Sequence, residues 1–202
     1  GKTTLVEAIA YQTGITARMG KVTDGNTISD YDKEEQKRQF SISTSVVPVE
    51  FEDIKINFLD TPGYFDFVGE VEEACHAAGA AVIVINGKSG VEVGTLKAWE
   101  LCEKYKLPRL FFVTGMDDDQ ASYRKIVLEL NDRFGRKVAP FHVPIRENEK
   151  FVGFVNVVKM KGRRFINDTS EYEECDIPDY MDKHLNISRD ALVEAVADTS
   201  EE

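Results

Sequence analysis

The chain has 202 residues, enough for one domain of ordinary size or one domain with a small insertion. Its 42% hydrophobic and 30% charged residues are a globular balance, and no run approaches the ~20 apolar residues of a membrane span. The net charge of −11 argues against a broad nucleic-acid face, which needs a surplus of Lys and Arg, so no direct nucleic-acid site is evident.

In chain order, Lys2 to Tyr11 reads as a helix with Leu5, Val6, Ile9 and Ala10 on one side. Residues 14 to 32 are polar and glycine-rich, a loop, and residues 33 to 40 are a charged short helix or ordered loop. Two strands follow, Thr44 to Phe51 and Ile54 to Leu59, and the acidic turn Glu52-Asp53 between them predicts an antiparallel hairpin. Asp66 to Ala78 is helical. Ala80 to Ile85 is an uninterrupted apolar run, expected of a strand buried on both faces. Val91 to Tyr105 is a helix, Arg109 to Val113 a strand, Gln120 to Phe134 an amphipathic helix and Pro140 to Ile145 a strand. This alternation predicts an α/β fold, a mostly parallel sheet with helices on both faces.

The rhythm changes near Arg146. Phe151 to Lys159 and Arg163 to Ile166 read as a small hairpin, Asn167 to Asp176 as a polar acidic loop, and Ser188 as the cap of a last helix through Ala197. Cys75, Cys102 and Cys175 form no CxxC pair, and His76, His142 and His184 do not cluster. Free thiols in a reducing cytoplasm are expected, and a zinc site has no support. Trp99 reads as packing, and Arg163-Arg164 alone establish no partner.

The opening Gly1-Lys2-Thr3-Thr4, running straight into a helix, is the second half of GxxxxGK[ST]. In that loop glycine lets backbone N–H groups approach phosphate, lysine reaches the outer phosphates, and the following hydroxyl binds Mg²⁺. A chain opening here is expected to be part of a longer sequence. Asp60-Thr61-Pro62-Gly63 follows an alternating strand. Aspartate at a strand's carboxyl end suits a water-mediated Mg²⁺ contact, and the glycine offers an N–H toward the terminal phosphate. Pro-Gly also marks ordinary turns, so the position after a strand and a GKT-helix unit carries the reading.

With Arg38-Gln39-Phe40-Ser41-Ile42 between these motifs and Asp66-Phe67 after them, the order resembles the translational GTPases, and within them the elongation factor G group. Gly90-Val91-Glu92-Val93-Gly94-Thr95, Leu107 to Val113 and Phe151 to Met160 resemble further stretches of that group. The resemblance implies a P-loop GTPase core over residues 1–146, without its first strand and part of its phosphate loop, and the start of an inserted α+β subdomain over 147–202. It implies GTP or GDP with Mg²⁺ as ligands and the ribosome as partner. Gly1, Lys2, Thr3, Thr4, Asp60, Thr61, Pro62, Gly63 and Tyr64 would face phosphate, while Thr3, Ser41 and Asp60 would hold the metal.

Three departures from the group's pattern matter. Ser41 stands where threonine is usual, and either hydroxyl can bind the metal. Tyr64 follows Gly63 in the place of a histidine that positions the attacking water. A phenol of ordinary pKa near ~10 can hydrogen-bond water but is a poor base at neutral pH. Thr114-Gly115-Met116-Asp117 stands where NKxD reads guanine: Asp117 keeps the carboxylate, but Thr114 replaces the asparagine and Gly115 the lysine. Losing the lysine stem removes apolar cover worth ~1–2 kcal/mol. The resemblance leaves open a ribosomal translocase that hydrolyses GTP, a ribosome-associated relative that hydrolyses it weakly, and a ribosome-protection or release factor. A P-loop ATPase is disfavoured by Asp117.

The isolated 202 residues carry half a phosphate loop and are expected to bind GTP weakly. Titration of this fragment with labelled GTP checks it, and micromolar affinity would contradict it.

Overall fold

The computed structural model describes residues 1–135, 138–148, 150–166 and 171–197. They belong to two compact units, Gly1–Ile85 with Glu92–Thr114, and Asn86–Val91 with Gly115–Glu202.

In the first unit, helix α1 spans Lys2–Gln12, with Gly1 before it and no acidic side chain in its first turn. Val6 and Ala10 pack on Val47 and Val49, with Ile9, Ile28 and Phe58 at the margin. Residues 13–44 return to the sheet through a short 3-10 turn, Val22–Asp24, and helix α2, Lys33–Arg38. A capping box starts α2: Glu34 N donates to Asp32 Oδ1 at 2.7 Å, and Asp32 N donates to Glu35 Oε2 at 3.3 Å. Strands β1, Ser45–Phe51, and β2, Ile54–Asp60, pair antiparallel from Ser45↔Asp60 to Phe51↔Ile54. Glu52 and Asp53 between them have φ of 46° and 64°, the two left-handed residues of a tight hairpin turn.

After a 3-10 turn, Phe65–Phe67, come helix α3, Val68–Ala77, strand β3, Ala81–Asn86, helix α4, Val93–Lys104, and strand β4, Arg109–Thr114. Ala81 N donates to Pro108 O at 2.9 Å, and Thr114 Oγ1 donates to Ile85 O at 3.3 Å. Matching ends therefore meet, and β3 and β4 run parallel. Ile83, Cys102 and Leu107 form their core, joined by Cys75, Ala98, Trp99 and Phe111. Trp99 is a packing residue, as read: it stacks on Phe111 with centroids 5.8 Å apart, and the Arg109 guanidinium lies 3.8 Å from its ring centroid. The three cysteines are free, and burial raises the thiol pKa of Cys75 and Cys102.

In the second unit, helix α5 spans Tyr123–Phe134, capped by Ser122 Oγ, which accepts from Lys125 N. Strands β5, His142–Glu147, β6, Lys150–Asn156, β7, Lys161–Phe165, and β8, Tyr172–Cys175, form one antiparallel sheet in that order. Helix α6, Asp182–Ala197, follows a 3-10 turn at Asp179–Met181. Val143, Ile145, Val155, Val157, Met181 and Leu185 make the core between sheet and helix.

Several expectations are corrected. Among the described strand pairs only β3–β4 is parallel; β1–β2 and β5 through β8 are antiparallel. Short connections let β1–β2, β5–β6 and β6–β7 close as antiparallel hairpins, while β3 and β4 are joined through α4, the kind of crossover a parallel pair needs. Nor are β3 and β4 buried on both faces: Val82, Leu110 and Phe112 stay about two-fifths exposed opposite the face that packs on α3 and α4. Part of the expected acidic loop is strand β8, while Asn167 to Ser170 of that stretch lie outside the described residues. Ser188 is inside α6, which begins at Asp182. Arg163 and Arg164 are engaged within the sheet, Arg163 4.4 Å from the Tyr172 ring centroid and Arg164 Nη1 3.1 Å from Glu147 Oε2.

Leu185 is fully buried in the α6 core. Leu185→Ala is expected to cost ~2–5 kcal/mol of unfolding free energy in a urea titration. A loss below ~1 kcal/mol would show that this core does not hold the unit together.

Candidate functional site

The first turn of α1 carries Lys2, Thr3 and Thr4 with backbone N–H groups that have no helical partner, a natural anion site. A Cβ on Gly63 would lie 3.0 Å from Lys2 Nζ, so the lysine amine rests close against the Asp60–Gly63 turn. Burial lowers the Lys2 pKa, and the Asp60 charge partly offsets that. Pro62 is buried, Thr61 half-buried, and Gly63 and Tyr64 are exposed.

Around Thr3 the structure gathers buried oxygens. Thr3 Oγ1 and Ser41 Oγ are 3.3 Å apart. Ser41 Oγ donates to Asp30 Oδ1 at 2.7 Å, and Ser29 Oγ donates to Asp60 Oδ2 at 2.7 Å. Asp30 and Asp60 are 3% and 2% exposed, and Asp30 Oδ2 and Asp60 Oδ1 are buried without a hydrogen-bond partner. Two carboxylates with one unanswered oxygen each, beside two hydroxyls, are the hard-oxygen donors a divalent cation such as Mg²⁺ takes. The residues present therefore fit that ion. Among the described residues no three His, Cys, Asp or Glu side chains converge as a metal site, so a cation here would draw on the hydroxyls as well.

The candidates Thr3, Ser41 and Asp60 are thus brought together. Sequence reading missed Asp30 and Ser29. The signal was present in Ser29-Asp30 within the polar loop, but nothing in spacing told that Asp30 among many acids is buried.

Carboxylates also hold the loop that carries these residues. Glu7, 1% exposed on α1, accepts from Gly20 N at 2.7 Å and from Ile28 N. A Cβ on Gly20 would meet Asn26 O at 2.5 Å and Glu7 Oε2 at 2.9 Å, so the loop closes only with glycine there. Glu35 Oε1 accepts from Ile42 N at 2.8 Å and Ser43 N at 3.1 Å, immediately after Ser41. Phe40 is half-buried, its ring 4.6 Å from that of Tyr64 and 6.3 Å from that of Phe67.

The base-reading candidates lie at the end of β4. Thr114 is half-buried there. Gly115 has φ of +67°, a conformation that strains a lysine and suits glycine. Glycine is therefore suited to this backbone position, which the sequence alone did not reveal. Met116 is buried, its carbonyl accepting from Arg146 Nη2 at 2.7 Å, and Asp117 is exposed.

Two comparisons bear on this arrangement. The family described as the elongation factor Tu GTP binding domain matches residues 1–200. The chain belongs to that family. A crystal structure of a protein from Thermus thermophilus is similar over 100% of this chain, with 36% identity and a TM-score of 0.93. The chain spans 30% of the length of that Thermus protein. The P-loop GTPase fold and the elongation factor G-like resemblance of the motifs accord with this family, whose members bind guanine nucleotide.

Burial raises the Asp30 pKa above its ordinary 3.8, with Asp60, Glu35 and Glu7 adding repulsion against the Ser41 hydrogen bond. A carboxyl whose folded pKa is raised favours folding while protonated, so stability falls as pH rises from below that ordinary value through the folded pKa. Asp30→Asn keeps an acceptor for Ser41 and is expected to raise the melting temperature at pH 7 in chelator, with the gain shrinking below about pH 4. A lower melting temperature at pH 7 would contradict the burial penalty.

Proposed function

We propose that the chain is the GTP-binding domain of an elongation factor G-like protein that hydrolyses GTP and drives movement of tRNA and mRNA on the ribosome in the cytoplasm. The observation that carries this reading is the buried convergence of Thr3, Ser41 and Asp60 beside Lys2 in a member of the elongation factor Tu GTP-binding family. The GTPase core would occupy residues 1–146, with an inserted subdomain beginning at 147. Ribosome contact would come mainly through other parts of the protein. Among the described residues no helix is long and apolar enough to cross a membrane.

In this reading Gly1, Lys2, Thr3 and Thr4 bind the phosphates, and the Lys2 ammonium offsets their charge. Thr3, Ser41 and Asp60 would hold Mg²⁺, which when bound neutralises charge on the outer phosphates. The Gly63 N–H faces the terminal phosphate within the turn Asp60-Thr61-Pro62-Gly63, and the Tyr64 hydroxyl orients the attacking water. Asp117, with Thr114, Gly115 and Met116 shaping the turn before it, accepts hydrogen bonds from the guanine base and so disfavours adenine.

A second reading has a specific observation behind it. The Tyr64 ring packs on Phe40, and Thr114 and Gly115 stand in place of two base-contact residues, which suits a ribosome-associated factor with weak or no hydrolysis; a protection or release factor with the same GTPase core is the further alternative. Equilibrium binding of GTP, GDP and ATP with Mg²⁺ to the complete polypeptide tests the common claim. A guanine preference of at least about tenfold, or ~1.4 kcal/mol, is expected, and equal binding of ATP would sink it. Tyr64→Phe then separates the readings. Loss of ribosome-stimulated hydrolysis by about 10²-fold with unchanged GTP affinity supports a water-orienting phenol, and an unchanged rate supports the second reading.

A further inference from the structure

Two segments lie beside the candidate site: the loop ending in Ser41, and the turn carrying Gly63 and Tyr64. They touch at two places that bracket Ser41. Before it, Phe40 packs on Tyr64 and Phe67. After it, Thr44 donates twice to Glu70: Thr44 N to Glu70 Oε2 at 2.6 Å, and Thr44 Oγ1 to Glu70 O at 3.1 Å.

Glu70 is in the first turn of α3. A carboxylate there already profits from the positive end of the helix dipole. Yet one of its oxygens accepts from a backbone amide 26 positions earlier in the chain, and among the described residues no cation pairs with it. A short bond from N–H to a charged acceptor is of the stronger kind. Gly69, just before it, costs the start of α3 helix propensity, so the place of that first turn depends the more on its tertiary ties. Thr44 is in turn continuous with β1, whose first residue fixes the loop once more through Ser45 Oγ to Ser29 O at 2.6 Å. A shift of the Gly63–Val68 segment is therefore handed to Thr44, and from Thr44 to Ser41.

We propose that Glu70 is a positioning residue that couples the place of Ser41 to the place of Gly63 and Tyr64, so that the two segments respond to the nucleotide as one. This rests on the GTP-binding reading above. Glu70 reaches neither phosphate nor metal in this account; it acts through Thr44 and the first turn of α3.

The test uses the complete polypeptide and tryptic cleavage after the exposed Lys37 and Arg38, compared with GDP and with a non-hydrolysable GTP analogue. In the unaltered protein, cleavage is expected to differ between the two nucleotides by about tenfold or more, within the usual range of coupling between sites. Glu70→Ala should bring the ratio to within about threefold of unity while leaving GDP affinity within about threefold. Glu70→Gln, whose amide oxygen can still accept from Thr44 N, should restore most of the difference. Thr44→Val, which removes only the hydroxyl bond, should fall between the unaltered protein and Glu70→Ala. If Glu70→Ala unfolds, a Thr44→Val ratio equal to the unaltered one overturns the coupling, and a reduced ratio supports it. A Glu70→Ala protein that keeps the full ratio overturns it as well, and so does a Gln variant no better than Ala. If the unaltered protein binds neither nucleotide, the GTP reading itself fails. If it binds both and is cleaved equally, only the coupling fails.

Discussion

The first unit buries Asp30 and Asp60, each with one oxygen that has no hydrogen-bond partner, and the loop between α1 and β1 is arranged around them. Burying an ionised carboxylate is expensive unless it is paired or binds a metal. Ser41 for Asp30, and Ser29 and Thr3 for Asp60, offset part of that cost by hydrogen bonding, and the Lys2 charge lowers it further for Asp60. The remainder is a cost that a cation bound among Thr3, Ser41 and the two carboxylates would offset.

That arrangement depends on a long connection between α1 and β1 that is mostly irregular. Its backbone amides are answered by glutamates instead of a strand ladder: Glu7 for Gly20 and Ile28, Glu35 for Ile42 and Ser43, and Glu70 for Thr44. A segment held at separate points by single side chains is easier to reorder than one zipped into a sheet, because each anchor can be released without breaking a cooperative ladder. The same segment carries Ser29, Asp30 and Ser41. A loop anchored in this way suits a nucleotide-dependent switch, in which a segment reorders when its ligand changes.

The local features legible in the sequence were those with local causes. Hydrophobic spacing gave α1 and α5, and the Glu52-Asp53 turn gave the β1–β2 hairpin. GKTT and DTPG singled out Lys2, Thr3 and Asp60, which the structure places near one another. What failed depends on tertiary context. Val82 and Phe112 look like doubly buried strand residues, yet one face of β3–β4 stays open. Strand β8 hides in an acidic stretch because Glu173 and Glu174 alternate about the sheet edge opposite Arg164 and Arg163. Ser188 resembles a cap, but the helix nucleates earlier, beside Met181 and Leu185, which are buried in the core. Asp30 reads as one more acid in a chain of 36 Asp and Glu; only its burial against Ser41 distinguishes it. Gly115 reads as a lost lysine, and only its φ explains why glycine is suited to the place.

The most direct measurement is an experimental structure of the complete polypeptide with Mg²⁺ and a non-hydrolysable GTP analogue. The account predicts Thr3 Oγ1 and Ser41 Oγ at ~2.0–2.1 Å from the metal, with Asp30 Oδ2 and Asp60 Oδ1 turned toward its remaining ligands. A nucleotide bound with its metal away from Thr3 and Ser41, and with the two aspartate oxygens answered by protein groups alone, would contradict it.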